Sequence, residues 1–577
     1  MSWTRYIPLI EQLRSYGKPS FRSDLVAGLT VAIMLVPQGM AYALLAGMPP
    51  IYGLYAGLVP PLVYGLLGTS RQLSLGPVAI SSLLVLAGIS QLAEPESDRY
   101  IELVILTGFL VGAAKLLLSA LRLGFLVRFL SHPVIAGFTS AAAVIIAVNQ
   151  LKYLLGIEIP RFTYSYETVY YAIQHLSEIH WLSFVCCVGS IMLMWALRRW
   201  APQVPGALVV TILGVGITAY FRLDQLGLNI VGQVPKGLPA FSVPVLEAAS
   251  IRVVLPTVFA VTIISIVESI GIAKTLELKN KDTKVLPNQE LLALGAAKVA
   301  GSFFQSLPSS ASFTRSAINN QAGARTGVAS IVAASAIGFT LIFFTPLFYY
   351  LPKATLAAII LTAVRGLFEW ERARYLWRVH RKDFLMLSIT FVITLAFGIE
   401  EGVLAGVVLS LLTIIYQTSR PHVVVLGQLA DGHTFRNIER FPEATQFTGI
   451  LIMRFDAPLF FMNADYFKDK VIDTIRRHPD RIEVFILDAS SILDIDSSGL
   501  EALEEIHRYL SERGTTFYLS GVLGPVRDRL QLAGLLQRIG LHNHFLYIRD
   551  ALDYHQREGE QGWSPQAVQF NRKRKHQ

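Results

Sequence analysis

Leu73-Ser74-Leu75-Gly76-Pro77-Val78-Ala79 opens a run of residues, 72–93, that contains no charged side chain. Proline is favourable in the first turn of a helix, but inside a helix it removes a backbone hydrogen bond and clashes with the preceding turn. The Gly76-Pro77 pair therefore favours a helix that begins within the apolar run over a helix that passes through it. A flexible glycine-containing loop at residues 74–79 is the alternative interpretation.

Further long charge-free runs lie on both sides of this stretch. A helix needs about 20 mostly apolar residues to cross the hydrocarbon core of a bilayer. The chain of 577 residues is 53% hydrophobic and 16% charged, whereas about a quarter of an ordinary soluble protein is charged. These features predict a polytopic α-helical membrane protein. The other charge-free runs lie at residues 25–70, 182–197, 326–352 and 402–419.

We count about fourteen apolar segments before Arg420, centred near residues 36, 60, 83, 110, 142, 190, 212, 264, 295, 317, 335, 358, 391 and 410. An even number of spans places both termini on one side of the membrane. With the N-terminus in the cytoplasm, the cytoplasmic loops hold most of the Lys and Arg residues, as the positive-inside rule requires. We therefore expect a cytoplasmic segment at 1–23, a transmembrane domain at 24–420 and both termini in the cytoplasm.

The formal net charge of +9 is unevenly distributed along the chain. Residues 1–420 hold 31 basic and 20 acidic residues, a net of +11, whereas residues 421–577 hold 19 and 21, a net of −2. A basic surplus among apolar spans indicates membrane topology rather than a nucleic-acid surface, so we expect no nucleic-acid partner. Cys186 and Cys187 are adjacent and can form neither a disulfide framework nor a metal site. We expect no cleaved signal peptide, because the charged first 23 residues lack an apolar core.

After Arg420 the pattern changes to short strands that alternate with amphipathic helices. This alternation predicts a small soluble α/β domain at 421–555, on the cytoplasmic side by the topology above. The predicted strands lie at 423–426, 449–455 and 483–487, and the predicted helices at 463–477, 499–513 and 525–539. We expect the basic residues 556–577 to be a disordered tail; contact with anionic lipid is the alternative.

Four ionisable residues lie within the predicted spans, where a charge is costly and usually functional. Arg315 is the single charge of residues 299–324, and Glu268 is the single charge of residues 253–273. Arg315 ends the hydroxyl-rich stretch Ser309-Ser310-Ala311-Ser312-Phe313-Thr314-Arg315, which suits the wall of a cavity better than contact with lipid. Lys115 and Lys298 are expected instead to extend along their stems to the membrane interface.

Two interrupted segments in corresponding parts of two halves are typical of the central site of a transporter. The free N–H groups and the dipole at a helix N-terminus together bind anions. We therefore predict an anion site where the helix that starts after Gly76 meets the stretch before Arg315. Gln38 and Tyr42, four residues apart on one face of a helix that Pro37 interrupts, would complete the hydrogen bonds of the anion. A helix–helix contact explains their spacing nearly as well.

Three stretches carry a resemblance to a known family. Pro50-Ile51-Tyr52-Gly53-Leu54-Tyr55-Ala56-Gly57, continuing to Gly68-Thr69-Ser70-Arg71, resembles the signature of the sulfate permease (SulP) family of anion transporters. Ser312-Phe313-Thr314-Arg315-Ser316-Ala317 is similar to the Ser-Phe-Ser-Arg-Ser/Thr-Ala motif of that family, with Thr314 where Ser is more usual. Asp488-Ala489-Ser490 and Asp494-Ile495-Asp496-Ser497-Ser498-Gly499-Leu500 look like the core of its C-terminal STAS domain.

The resemblance implies two inverted repeats of seven helices, arranged as a core domain and a gate domain, followed by a STAS domain and usually assembled as a homodimer. It implies an anion site between two facing half-helices. It also places Glu268 where many members carry an acid that couples transport to a cation or a proton. The residues that the resemblance and the pattern assign to the anion site are Gln38, Tyr42, Gly76, Pro77, Val78, Ala79, Ser312, Phe313, Thr314 and Arg315.

We therefore expect a secondary active transporter of the plasma membrane, the inner membrane of a bacterium, that moves sulfate by proton symport and alternating access. Sodium-coupled bicarbonate members are similar, but they tend to carry Asp at the coupling position and lack the arginine, whereas this chain has Glu268 and Arg315. A sodium- or proton-coupled bicarbonate or C4-dicarboxylate transporter stays open as an alternative. A passive anion channel or exchanger and a membrane scaffold or sensor stay open as well.

The sequence contains no recognisable catalytic constellation, phosphate-binding loop or metal-ligand cluster, so we expect neither an enzyme nor a cofactor. The co-transported ion would be H⁺ or Na⁺. The expected partners are the inorganic anion, membrane lipids and a second copy of the chain. Asp496 and Ser498 precede a predicted helix, where we expect a helix cap. Phosphorylation of Ser498, as at the matching serine of some soluble STAS proteins, is the alternative.

Overall fold

The computed structural model describes residues 7–14, 16–124, 131–160, 162, 164–201, 204–280 and 284–557, with the backbone alone at position 400. The chain divides into two compact units, Met1–Ser410 and Leu411–Gln577. The first unit is almost entirely helical, and the second combines a mixed sheet with helices. The predicted tail at 556–577 lies outside the described residues apart from its first two positions.

The elements in the first half of the helical unit are α1 (Pro8–Leu13), α2 (Lys18–Leu45), α3 (Pro50–Ala56), α4 (Val59–Leu67), β1 (Leu75–Gly76), α5 (Ala79–Ile89), α6 (Asp98–Ala120), α7 (His132–Asn149), α8 (Leu151–Leu155), α9 (Ser165–Gln174), α10 (Trp181–Trp200) and α11 (Gly206–Phe221). Those in its second half are α12 (Ala248–Lys279), α13 (Pro287–Ser302), β2 (Ser310–Ala311), α14 (Phe313–Gln321), α15 (Val328–Phe343), α16 (Lys353–Val364), α17 (Trp370–Val379), α18 (Arg381–Phe397) and α19 (Ile399–Ser419). Short 3-10 turns lie at Leu176–Glu178, Leu223–Leu226, Thr345–Phe348 and Arg365–Leu367.

Seven helical stretches among the described residues are long and apolar enough to cross a membrane. They are Lys18–Leu45, Pro50–Leu67, Asp98–Ala120, His132–Leu155, Trp181–Trp200, Ala248–Lys279 and Glu401–Ser419. The helices α5, α11 and α15 are apolar but shorter. Each of the fourteen predicted centres falls within a helix, which confirms a polytopic helical membrane protein.

A pair of glycines decides how α3 packs on α2. A Cβ atom on Gly53 would collide with the carbonyl oxygen of Gly39, so no residue larger than glycine fits at this crossing. The signature stretch at 50–57 thereby packs beside Gln38, the neighbour of Gly39 in the chain. Pro37 does not interrupt α2 as the sequence suggested, because the helix continues through it from Lys18 to Leu45. Tight packing by neighbouring helices allows a membrane helix to tolerate the hydrogen bond that proline removes.

The two halves of the helical unit pack against each other in a reciprocal way. Helix α6 of the first half packs on α12 and α13 of the second half. Helix α15 of the second half packs on α2 and α4 of the first half. The second helix after each short strand, α6 in the first half and α15 in the second, thus packs on two helices that precede the short strand of the other half.

Apolar side chains form both the inside and the outside of the helical unit. Buried residues of α2, α5, α6 and α12 contribute to one continuous core. The outer face of α10 exposes Val185, Met192 and Trp195. Apolar side chains are stable in contact with the lipid chains of a bilayer. Lipid offers no hydrogen bonds to the backbone, and helices satisfy their backbone hydrogen bonds internally.

The second unit is built on a mixed six-stranded sheet with the order β4-β3-β5-β6-β7-β8. Its strands are β3 (Val423–Gln428), β4 (Phe435–Asn437), β5 (Ile450–Phe455), β6 (Val484–Asp488), β7 (Thr516–Ser520) and β8 (His544–Phe545). Strand β3 is antiparallel to β4 and β5, and β5 to β8 run parallel. Its helices are α20 (Ala464–Arg477), α21 (Ser497–Glu512), α22 (Gly524–Leu532), α23 (Leu535–Ile539) and α24 (Ile548–Arg557). Helices α20 to α23 cover one face of the sheet, and α24 packs on the other.

The strands and the first two helices predicted for the second unit are confirmed, with ends that differ by a few residues. The helix predicted at 525–539 is wrong in one respect, because it divides into α22 and α23 at Gly534. This glycine has a φ of +68°, which ends a right-handed helix. Strands β4, β7 and β8 and helix α24 were not predicted; β4 and β8 have three and two residues and are too short to show a period.

Candidate functional site

Strands β1 and β2 bring the two interrupted segments of the helical unit together. They pair in antiparallel orientation, with Leu75 opposite Ala311 and Gly76 opposite Ser310. The backbone N–H of Ser312 extends the pairing by donating to the Ser74 carbonyl at 3.1 Å. Pro77 and Val78 connect β1 to α5, and Ser312 connects β2 to α14, so both helix N-termini lie close to one small sheet.

Gly76 has a conformation that the site requires. Its φ is +154°, in a region that is essentially restricted to glycine. A Cβ atom here would lie 3.0 Å from Leu35 Cδ1 and 3.2 Å from Arg315 Nη2. The missing side chain of Gly76 therefore gives the guanidinium of Arg315 its room beside β1.

Arg315 is the largest fully buried side chain of the protein among those described, with 0% of its surface exposed. Its Nη1 donates to Oε1 of Gln38 at 3.4 Å, a long hydrogen bond. Its Nε and Nη2 have no acceptor among the described residues. A buried guanidinium with unused donors is costly unless another group accepts from them.

Free backbone N–H groups lie at the start of both helices. The residue before α5 is Val78, which offers no side-chain cap to the first turn. At α14 the hydroxyl of Ser312 accepts from the N–H of Arg315 at 3.4 Å, which leaves the N–H groups of Phe313 and Thr314 without an intrahelical acceptor. Each helix N-terminus carries about half a positive charge. The arrangement offers two such ends and one guanidinium to an anion.

The other predicted residues differ in how closely they approach the guanidinium of Arg315 and the two helix N-termini. Gln38 and Tyr42 are both buried on α2, and Tyr42 lies within electrostatic range of Arg315. Pro77 is buried between β1 and the start of α5. The side chains of Phe313, 57% exposed, and Thr314 are exposed rather than packed beside the guanidinium. Their backbone, not their side chains, belongs to the site in this structure.

Glu268 lies on α12 and contacts Ser310 of β2, the strand that precedes α14. Its Oε2 accepts a hydrogen bond from the Ser310 hydroxyl at 3.4 Å, and the residue as a whole is half-buried. The backbone N–H of Ala311 donates to Ser269, the next residue of α12, at 3.3 Å. Glu268 lies within electrostatic range of Arg315 but forms no ion pair with it within 4 Å among the described residues.

Lys115 and Lys298 do not extend to the membrane interface, so that expectation is wrong for both. They lie on α6 and α13, which pack tightly against each other, and are 0% and 3% exposed. The ammonium of Lys298 donates to the backbone carbonyl of Ser309, just before β2. The ammonium of Lys115 has no hydrogen-bond partner among the described side chains and backbone groups. Both lysines lie within electrostatic range of Glu268.

Two buried carboxylates that sequence reasoning missed anchor the segments next to the site. Glu290 on α13 accepts from the N–H groups of Thr69 and Ser70 at 2.7 and 3.0 Å, and from the Tyr64 hydroxyl at 2.9 Å. This bonding fixes the chain that leads into β1. Asp24 on α2 does the same for the chain after α14. It accepts from the N–H groups of Arg325 and Thr326 at 2.6 and 3.1 Å. For Glu290 the sequence held a signal, an acidic residue in the first turn of a helix, whereas Asp24 lies beyond the first turn of α2.

In the second unit, Asp496 is the N-cap of α21. Its Oδ1 accepts from the N–H of Gly499 at 2.9 Å, and its Oδ2 accepts from the N–H of Phe461 at 2.8 Å. Ser498 lies half-buried in the first turn of the helix. The capping role expected at this position is therefore present; a regulatory role for Ser498 stays a prediction.

The fold and the paired helix starts together define a multi-pass membrane transporter that carries a separate small α/β domain. Residues 21–390 match the sulfate permease family, and residues 441–551 match the STAS domain. The chain belongs to the sulfate permease family.

Curated relatives extend over nearly the whole chain. The protein named Sulfate transporter 4.1, chloroplastic, of Arabidopsis thaliana is 40% identical over 570 residues, which cover 94% of this chain and 82% of that protein. A probable sulfate transporter of Mycobacterium tuberculosis (strain ATCC 25618 / H37Rv) is 32% identical over 552 residues, which cover 96% and 98% of the two chains. These relatives are named as transporters, in agreement with the expectation of a non-enzyme.

Solved structures show the same architecture. The structure of SLC26A9 matches with a TM-score of 0.89 at 25% identity and covers 96% of this chain and 93% of that one. The transmembrane domain of BicA, a bicarbonate transporter of a cyanobacterium, matches with a TM-score of 0.60 at 21% identity and covers 68% and 98%. The relatives and the fold together identify this chain as an anion transporter.

Proposed function

We propose that the protein moves sulfate across the membrane together with a proton, by alternating access. The observation that carries the proposal is the buried guanidinium of Arg315, which keeps two nitrogens free beside two helix N-termini. A divalent oxyanion has enough acceptor oxygens to use the guanidinium and the backbone N–H groups at once. The names of the relatives in Arabidopsis thaliana and Mycobacterium tuberculosis support sulfate as the anion.

The electrostatics of the helical unit favour a divalent anion. Transfer of an ion from water to a protein interior costs several kcal/mol, even after the protein relaxes. Arg315 and the two helix ends supply positive charge where the anion would lie. The buried Lys115 and Lys298 lie within electrostatic range of Glu268. The positive charge of Arg315 and of the two helix ends is suited to a cargo with two negative charges.

Glu268 is the residue to which we assign the proton. The buried acids of the described part of the helical unit, Asp24 and Glu290, each accept two hydrogen bonds from backbone N–H groups. Glu268 accepts one long hydrogen bond, from Ser310, among the described residues. An acid with so few donors can bind and release a proton without breaking the fold. Because Ser310 belongs to the strand that leads to Arg315, the protonation of Glu268 and the occupancy of the anion site would be linked.

Alternating access requires two bodies that move against each other. The reciprocal packing of α6 on α12 and α13, and of α15 on α2 and α4, supports the two inverted repeats that we infer for the helical unit. We further propose that the protein acts as a homodimer, with both termini in the cytoplasm of a bacterial plasma membrane. Labelling of single cysteines at the two ends of the chain in intact and permeabilised cells tests the orientation, and mass photometry of the purified protein tests the dimer.

Uptake into proteoliposomes tests the proposed function. Labelled sulfate, bicarbonate and fumarate are each offered with an inward proton gradient, with an inward sodium gradient and with neither. The proposal predicts accumulation of sulfate above equilibrium with the proton gradient. Accumulation of bicarbonate or fumarate instead would replace the anion, and a sodium requirement would replace the coupling ion. Equilibration without accumulation under every gradient would indicate a passive channel.

The variant Glu268→Gln tests the assignment of the proton. We expect it to keep sulfate binding but to lose the increase in uptake that low external pH gives the unmodified protein. Glu178→Gln is the matched control, since Glu178 is exposed and far from the strands of the site in sequence. An unchanged pH profile in Glu268→Gln would remove this residue from the coupling step.

A further inference from the structure

The second unit contains a cavity that no part of the proposed transport mechanism uses. It has a volume of about 470 Å³ and lies where β3 begins, beside β4 and the end of β5. Four basic side chains line it, namely His422, Arg436, Arg440 and Arg454. The lining also includes one acid, Asp456, and one aromatic ring, Phe441. We refer to it as the basic cavity.

The charges in the basic cavity are only partly balanced. Asp456 accepts from Arg454 Nε at 2.6 Å and from Arg454 Nη2 at 3.3 Å, and it lies 3.4 Å from Nδ1 of His422. Burial alone would raise the pKa of Asp456, but the hydrogen bonds and charge of Arg454 lower it, so this acid stays ionised and engaged. Arg436 and Arg440 have no acidic partner within 4 Å among the described residues. Both arginines are exposed, so their guanidinium groups are accessible to a ligand.

A short segment of the second unit joins the basic cavity to the last apolar helix. Residues 411–419 of this unit belong to the last apolar helix, and their side chains include the exposed Leu412 and Ile415. The guanidinium of Arg420 lies 5.3 Å from the centre of the Tyr416 ring, a pairing of the kind found where a helix leaves the bilayer. His422 follows Ser419 by three residues, which span at most about 11 Å.

We propose that the basic cavity binds a phosphate group, which Arg436 and Arg440 hold by charge-assisted hydrogen bonds. The cavity lies within reach of the bilayer surface, where basic clusters bind the headgroups of anionic lipids. An anionic phospholipid headgroup is therefore the source of phosphate that its location favours, and a soluble phosphate ion is the other source. The apolar ring of Phe441 at the rim would contact the less polar part of a lipid ligand.

Hydrogen–deuterium exchange of the full-length protein in nanodiscs tests this site. The first arm compares nanodiscs of phosphatidylcholine with nanodiscs that also contain phosphatidylglycerol. The second arm adds millimolar inorganic phosphate to the phosphatidylcholine nanodiscs at constant ionic strength. Protection of the peptides that contain residues 436–441 and 454–456 in the first arm alone identifies a lipid headgroup. Protection in the second arm identifies a soluble phosphate ion. Both results support a phosphate site.

The double variant Arg436→Gln/Arg440→Gln should lose that protection, while its β6 peptides exchange as before and so report an intact fold. The matched control is Arg477→Gln/Arg508→Gln, which removes two exposed arginines from helices of the same unit, and it should keep the protection. No protection in either arm would overturn the proposal. Equal loss of protection in the control would also overturn it, because it would show attraction by the net charge of the unit rather than by the cavity.

Discussion

Two short segments with the same backbone plan, a two-residue strand followed by a helix start, meet in the helical unit with different chemistry. The segment of β1 and α5 contributes no charged side chain, and its conformation depends on Gly76 and Pro77. The segment of β2 and α14 carries hydroxyl groups and Arg315. The first segment thus presents backbone N–H groups and empty space, and the second fills that space with a cation. A site for a transported anion needs both segments. The helix ends offer N–H groups and partial positive charges, and the guanidinium of Arg315 adds one full positive charge.

Of the substitutions in these two segments, Arg315→Ala should reduce sulfate uptake the most. Loss of one partner from a buried charged contact costs about 2 to 5 kcal/mol, so we expect the initial rate of sulfate uptake to fall by a factor on the order of 100. Uptake into proteoliposomes measures it, with Arg252→Ala as the control because Arg252 is an exposed arginine of α12. Near-normal uptake in Arg315→Ala would mean that the charged segment does not contact the anion.

Gly76→Ala tests the segment without charge. The new methyl group would require a strained φ and would press on Leu35 and Arg315 Nη2, and such strain costs of order 1 to 3 kcal/mol. We expect sulfate uptake to fall by about tenfold while the protein still folds, as size-exclusion profiles will report. Gly189→Ala, which has open space around its Cβ position, should transport normally. Equal losses in both variants would point to a general defect in helix packing.

Ser312→Ala tests the cap that orders the charged segment. Loss of an N-cap hydroxyl costs about 1 kcal/mol, so sulfate uptake should fall by about fivefold. Ser312→Thr keeps the hydroxyl and should restore uptake. Ser312→Asp keeps a cap but adds a negative charge beside the anion, and its uptake should be lower than that of Ser312→Ala. A recovery in Ser312→Asp would show that capping alone matters at this position.

Ala79→Ser should have the smallest effect. At this position we expect the backbone N–H to donate to the anion, and the substitution keeps that group. We expect the uptake rate to change by less than about twofold, or about 0.4 kcal/mol. A large loss of uptake with normal folding would show that the side-chain volume at the start of α5, rather than its backbone, limits the site.

Much of this arrangement could be predicted from the sequence because its causes are local. Charge-free runs predict spans, and the Gly76-Pro77 pair favours a helix start for reasons that hold in any surroundings. The same is true of the cap that Asp496 provides, since it needs only a short acidic side chain before a helix. Gly534, in contrast, divides a helix whose apolar pattern continues through it, so the pattern alone predicted one helix.

The parts that could not be predicted depend on contacts between distant segments. Strands β1 and β2 have two residues each, and their pairing depends on how the two halves pack. Lys115 and Lys298 are buried because α6 and α13 pack closely. The sequence alone does not show whether such a long side chain extends to the membrane interface or stays buried between helices. Glu290 is an acid in the first turn of α13, and the sequence does not show its partners, because only the fold brings Thr69 and Ser70 to it. The STAS domain shows the same limit, because the basic cavity joins residues from three strands.

The proposed anion site lies where the starts of α5 and α14 meet Arg315. The most direct measurement is a structure of the full-length protein with selenate, a sulfate analogue that anomalous scattering at the selenium edge identifies. We expect one anomalous peak per chain, from a selenate whose oxygens lie at hydrogen-bonding distance, about 3 Å, from the nitrogens of Arg315 and the first N–H groups of both helices. A selenate ion bound elsewhere in the helical unit, with the nitrogens of Arg315 still unpartnered, would contradict it.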